Sequence, residues 1–161
     1  MKVSQIFLIV ILLVGVSGFA QDMSVQAKPL SDSDINLLRQ DVQQAKNKII
    51  KDTMQFTDPQ AAAFWPVYKE YAAQQHVIAE KRLKVITDYA QKMETLDDAT
   101  ANSLIQRMLQ VEADTLALRK SYLPKFEKAI GGKMAAKFYQ VDNRLDMMIN
   151  IQLASQIPLV P

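Results

Sequence analysis

Two pairs of side chains in this chain have a spacing that chemistry uses. His76 and Glu80 stand four residues apart, so on a helix they would share a face as two ligands of a metal ion do. Asp142 and Asp146 have the same spacing and could share a proton or hold a hard cation. Neither pair closes a site. His76 is the only histidine and there is no cysteine, so the first pair supplies too few ligands, and a surface histidine is expected. Asn143 and Arg144 lie between the two aspartates, which reads as the solvated face of a helix. No arrangement resembles a Ser-His-Asp or Cys-His set, and the adjacent Gly131 and Gly132 are too few for a phosphate loop. The expectation is a protein that is not an enzyme, with no cofactor and no bound metal.

The elements that would position these residues begin with a leader. Lys2, an apolar run from Ile6 to Val16 and the exit Gly18-Phe19-Ala20 have the order of a secretory signal peptide over residues 1–20. The apolar run falls short of the ~20 residues that cross a bilayer as a helix, so cleavage after Ala20 and no stable membrane span afterwards are expected. Residues 21–30 read as a flexible segment, 31–154 as a helical domain and 155–161 as an extended apolar tail. Removing the leader leaves roughly 140 residues, one domain of ordinary size. Without cysteine it must be held by burial alone, and lipid attachment through cysteine is excluded. The compartment that fits is a bacterial periplasm. A formal net charge of +2 carries no global field for nucleic acid, so no nucleic-acid partner is expected.

Period-two strand patterns are absent, and an all-α fold is expected: an elongated four-helix arrangement built on a long kinked antiparallel helical hairpin. The first helix runs from about Ser31, its cap, to Met54, with Ile35, Leu38, Val42, Ala45 and Ile49 as its inward stripe. The second opens on Phe56-Thr57-Asp58-Pro59-Gln60, where Thr57 and Gln60 have capping-box spacing and Phe56 can staple toward Ala61. Pro66 follows inside that helix, amid Phe64, Trp65, Val67, Tyr68 and Tyr71, and predicts a kink that seats an aromatic face. Asp97 caps the third helix and Gly131 ends it. A fourth runs from about Lys133 to Ala154 with Phe138, Val141, Leu145, Met148 and Ile149 inward.

If the chain reverses between Leu96 and Asp97, the second and third helices must lie side by side. That register sets Tyr71 against Tyr122, Val85 against Met108 and Lys81 against Glu112. A weak internal echo aligns Phe56–Val67 with Ile130–Val141, matching Phe64 to Phe138.

An exported, cysteine-free helical chain carrying Phe56-Thr57-Asp58-Pro59-Gln60 at a long helix start resembles the Spy/CpxP-like periplasmic stress proteins, whose hallmark is a repeated Leu-Thr-x-x-Gln. It also resembles their relatives bearing an Ala-x-x-Phe-Trp-Pro-Val-Tyr stretch, here Ala61 to Tyr68. Phe56 stands where that hallmark has leucine, and the second copy, Ile130 to Met134, keeps neither threonine nor glutamine. The resemblance implies a helical dimer that holds unfolded clients, or an envelope-stress adaptor. The expected partners are unfolded or envelope proteins and a second copy of the chain. Flexible methionines suit promiscuous contact, and cations can steer a client before burial. The candidate binding residues are therefore Phe64, Trp65, Tyr68, Met147, Met148, Arg119, Lys125, Lys128 and Lys133. The alternatives are docking of one envelope partner, through the aromatic face or the tail, and a metal sensor centred on His76.

Overall fold

The computed structural model describes residues 32–154 and Ile157. The leader 1–20, the segment 21–30, the Ser31 cap and the tail, apart from Ile157, lie outside the described residues. The chain divides into two compact units after Asn36. In the first, only Asp32–Asn36 is described, the opening of a helix. The second unit is all-helical over its described residues. Helix α1 (Asp32–Met54), α2 (Asp58–Lys92), a 3-10 turn (Met93–Thr95), α3 (Asp98–Ile130) and α4 (Gly132–Ala154) follow in order.

Each break sits where local chemistry stops a helix. Gln55, with φ 50, ends α1 and donates its N–H to the Lys51 carbonyl at 3.3 Å; nothing in its residue type signals that left-handed conformation. The Thr57 capping box forms, and its return half, Thr57 N–H to Gln60 Oε1, measures 3.1 Å. The Asp97 carboxylate accepts from the Thr100 N–H at 2.7 Å and starts α3. Gly131 serves two helices at once. Its N–H closes α3 on the Glu127 carbonyl, and its carbonyl opens α4 by accepting from Ala135, both at 2.9 Å. Its φ of 80 has the expected sign, but ψ is 154, a region that glycine alone occupies without strain.

Pro66 lies inside α2 and Pro124 inside α3, and neither interrupts its helix. Helix α2 continues through Pro66, and α3 through Pro124, a proline that the sequence expectation did not use. The reason is solvation: both prolines are exposed, as are Ala62 and Lys120, whose carbonyls lose their helical donors. Water can satisfy those carbonyls on the solvent side.

Helices α2 and α3, of 35 and 33 residues and about 50 Å long at about 1.5 Å per residue, fold back on each other, and α4 returns along α3. Tyr71 and Tyr122 meet with ring centroids 5.4 Å apart, as the turn at Leu96–Asp97 requires. The ion pair is displaced: Lys81 reaches Asp114 at 2.7 Å, not Glu112. Arg107 pairs with Asp88 at 2.7 Å in the same phase. Charged side chains on the flank of the seam reach across it diagonally, whereas the rings inside it meet level.

The core is a cluster of aromatic rings around Phe64. It touches Phe56 at 4.5 Å, Phe138 at 5.0 Å, Trp65 at 5.2 Å, and Tyr68 and Phe126 at 5.5 Å between centroids. Each such pair adds about 0.5–1.5 kcal/mol beyond the area it buries. Phe56 thus packs onto Phe64 from just before the start of α2. Phe64 and Phe138, matched in the internal echo, meet edge to face in this cluster. Two stripes are rotated from expectation. On α1, Val42 and Ile49 are exposed, and Lys46, Ile50 and Met54 face inward. On α4, Met148 is exposed, and Asp142 is buried with Phe138 and Leu145. Both shifts bring a charged residue inside, which an apolar-periodicity reading excludes.

Gly131 generates a paired test. A Cβ at Gly131 or Gly132 would meet no atom within 4 Å, so only backbone conformation separates them. Gly131→Ala should cost about 1–3 kcal/mol, while Gly132→Ala, at a helical position, should stabilise by about 0.4–1 kcal/mol. Urea denaturation of the two variants measures both.

Candidate functional site

The aspartates that looked like a solvated face are the centre of a polar cluster joining four helices. Asp142 is 1% exposed. The α1 row that reaches it is Gln43, Lys46 and Ile50, the α2 row is Tyr68, Tyr71 and Gln75, and α3 contributes Arg119. The Tyr71 hydroxyl donates to Asp142 Oδ2 at 2.8 Å. Gln75 Nε2 lies 3.3 and 3.4 Å from the two Asp142 oxygens and 3.0 Å from the Tyr71 oxygen. Lys46 Nζ stands 3.7 Å from Asp142 Oδ1 and 3.2 Å from Asp146 Oδ1, and Arg119 Nη2 donates to Asp146 Oδ2 at 2.7 Å. Above them Gln43 Nε2 donates to the Tyr68 hydroxyl at 3.2 Å.

Two cations face two anions, so the cluster is neutral as a set. Burial pushes the Asp142 carboxyl above its ordinary value, and nearby Asp146 adds to this. Lys46, the Tyr71 hydroxyl and Arg119 oppose both. Burial pulls Lys46 down, but Asp146 and Asp142 outweigh it and leave the ammonium above its usual range. The Tyr71 phenol is pushed up by burial and by Asp142, and remains a donor. Acid–base sites use the same group types, but here the carboxyl, phenol and ammonium are engaged with one another in the interior. Beside them lies a small cleft between Arg119, Tyr139 and Asp142, where the buried Arg119 Nε has no protein acceptor.

The binding residues proposed from the sequence separate into three groups. Phe64 and Tyr68 are corrected to core: they are 0% and 3% exposed, because Ile50 and Met54 of α1 pack into the same aromatic cluster. Trp65 is partly buried against that cluster. Arg119 is corrected from a surface cation to a cluster member, its guanidinium turned onto Asp146 and lying 5.6 Å from the Tyr139 ring centroid. The surface group comprises Lys125, Lys128, Lys133, Met147 and Met148. Lys125 sits 4.0 Å over the Tyr122 ring and 3.8 Å from Glu70. Lys137 is spent on the Thr53 carbonyl at 2.7 Å. Met147 and Met148 are 53% and 68% exposed.

His76 and Glu80 come within 4.0 Å of each other on the exposed side of α2. Among the described residues no group of three or more His, Asp or Glu could hold a metal ion. What the sequence missed is a second outward apolar row. Ile105, Leu109, Leu116 and Leu123 of α3 all stand exposed, and the seven-residue repeat of the last three is readable in the sequence.

Asp142 supplies a signed test. A carboxyl with a raised folded pKa holds its proton more tightly in the native state than in the unfolded chain. Its contribution is therefore greatest below the ordinary value of 3.8 and is lost as pH rises through the folded value. Asp88, Asp97 and Asp114 have lowered pKa values, from their bonds to Arg107, Thr100 and Lys81 respectively, and act with the opposite sign. They cancel between parent and variant. Asp142→Asn, which can still accept from Tyr71, should lie within about 1 kcal/mol of the parent at neutral pH. Relative to the parent it should gain stability as pH rises from 4 to 7. Asp142→Leu removes the same charge and in addition strands the Tyr71 hydroxyl and the Gln75 amide, and should cost about 2–4 kcal/mol. Denaturation midpoints across that pH range check all three statements.

No family model, no curated protein and no solved structure matches this chain.

Proposed function

We propose that this chain is an exported helical binding protein that holds apolar segments of unfolded or envelope proteins, the role that the Spy/CpxP-like resemblance implies. The observation that carries this reading is the outer side of α4. Met147, Met148 and Ile151 stand 53%, 68% and 67% exposed, although the helix has already filled its inner face with Phe138, Asp142 and Leu145. Exposed apolar side chains scattered singly need no explanation, but a cluster within two turns marks a contact surface. Two of the three are methionines, whose flexible thioethers fit many apolar shapes. Lys128 and Lys133, exposed at the α3–α4 junction, add positive charge that steers acidic segments.

Export rests on the order of residues 1–20 and on no feature of the fold. Among the described residues no helix is long and apolar enough to cross a membrane. Docking of one folded partner through the aromatic face loses its surface, because Phe64 and Tyr68 are inside. The tail remains as its other route.

Light scattering by a chemically denatured client tests the reading. The mature chain in molar excess should suppress client aggregation. Met147→Ser/Met148→Ser/Ile151→Ser should lose most of that suppression while melting like the parent. No suppression by the parent, or full suppression by the triple variant, would remove the role assigned to α4.

A further inference from the structure

We infer that the C-terminal residues 157–160 dock as an extended strip on α3, over Ile105 and Leu109, along a track that α4 leaves uncovered. The register of α3 and α4 fixes where that track begins. The Phe126 and Phe138 rings lie 4.6 Å apart between centroids, and Arg119 donates to Asp146 at 2.7 Å. In an antiparallel pair these contacts place Ala154, the end of α4, level with Gln110 and Val111. Residues 98–109 of α3 therefore have no part of α4 beside them. The side of α3 that α4 would have covered there is apolar. Counting back from Arg119 in sevens, which returns to nearly the same side of a helix, gives Glu112 and then Ile105. Ile105 is 57% exposed and Leu109, one turn along, 51%, with Ala101 and Met108 half-buried beside them.

The residues that follow α4 match that face in reach and in polarity. The Ile157 N–H donates to the Ala154 carbonyl at 3.1 Å, so a tight turn carries the backbone off the end of the helix, and Ile157 is half-buried there. Pro158 has no N–H and holds the residue before it out of the helical region, so an extended strip of about 3.1 Å per residue follows. Along α3, Ile105 lies about 9 Å beyond Val111, at about 1.5 Å per residue. The turn and the two steps from Ile157 to Leu159 span about the same distance. Polarity agrees as well. After Asp146 the sequence carries no charge through Pro161, and between Asp98 and Glu112 the only charged residue is Arg107, which is held on Asp88 at 2.7 Å. An uncharged strip thus covers an uncharged face without stranding an ion. Asn102 and Gln106, both exposed, flank the face with amide donors for the carbonyls of the strip. While seated, the strip is withheld from other proteins, and a partner that uses it must first displace it. The face on α4 proposed for clients uses other residues, so the two readings stand or fall separately.

The absence of cysteine allows a direct test in the full mature chain, with no client present. Under mild oxidation Ile105→Cys/Leu159→Cys should close mostly to a disulfide within one chain. Met148→Cys/Leu159→Cys, whose first cysteine lies on the outer side of α4, should stay mostly reduced. Melting followed by circular dichroism gives a second reading without cysteine. Ile105→Ser should lower the midpoint of the parent by a few degrees. In a Leu159→Ser/Val160→Ser background the same change should leave the midpoint where it was, because the contact is already lost. Disulfides that form only between chains would assign the strip to a second copy and overturn the inference. So would equal closure of the two cysteine pairs, closure of neither, or an equal effect of Ile105→Ser in both backgrounds.

Discussion

The hydrogen bond from Tyr71 to Asp142 is the contact on which the described fold turns. The Tyr71 ring belongs to the aromatic cluster, lying 5.4 Å from Tyr122 and 5.5 Å from Phe126 between centroids. Its hydroxyl belongs to the charge cluster. One side chain of α2 therefore couples apolar packing, which is tolerant of small shifts, to ion pairing, which is not. A buried carboxylate deprived of its partners is far costlier than a misfit methylene. With Asp142 inside, α1 must bring Lys46 and α3 must bring Arg119.

That requirement explains why α1 and α4 show the faces they do. The aromatic cluster would accept several aliphatic rows from α1, and the row carrying Val42 and Ile49 is at least as apolar as the one used. Only the row with Lys46 neutralises Asp142 and Asp146 while setting Ile50 and Met54 against Phe64 and its neighbours. Buried ion pairs add little net stability compared with well-packed apolar residues. Their effect here is on register: sliding α1 by one turn would separate Lys46 from both carboxylates. The same requirement turns Met147, Met148 and Ile151 outward, since α4 cannot bury Asp142 and Met148 on one face.

A core completed in this way leaves apolar rows on α3 and α4 exposed, Leu109 and Leu116 on the one and Met147, Met148 and Ile151 on the other. Which apolar side chains stay exposed is then a consequence of how the interior is assembled. The two rows differ in character. The α3 row keeps a seven-residue repeat over Leu109, Leu116 and Leu123. The α4 row is short and rich in methionine.

The helices and their ends were legible in the sequence because they depend on neighbours within a few residues. Thr57 with Gln60, Asp97 with Thr100, and Gly131 all act through backbone groups that local order already places. The reversal at Leu96 and Asp97 was legible too, since two long apolar stripes joined by a short link can pack only against each other. Gln55 was not, as its left-handed backbone follows from how α1 is docked. Nor was the interior of Asp142 and Lys46, which lie almost a hundred positions apart and are stable inside only together with Tyr71, Gln75, Arg119 and Asp146. Periodicity ranks each residue by its own cost of burial; whether that cost is met depends on groups that only the folded chain assembles. For that reason the sequence by itself determined where the helices begin, end and turn back. Tertiary structure alone decided which face of α1 and α4 went inside, and so which apolar residues were left exposed.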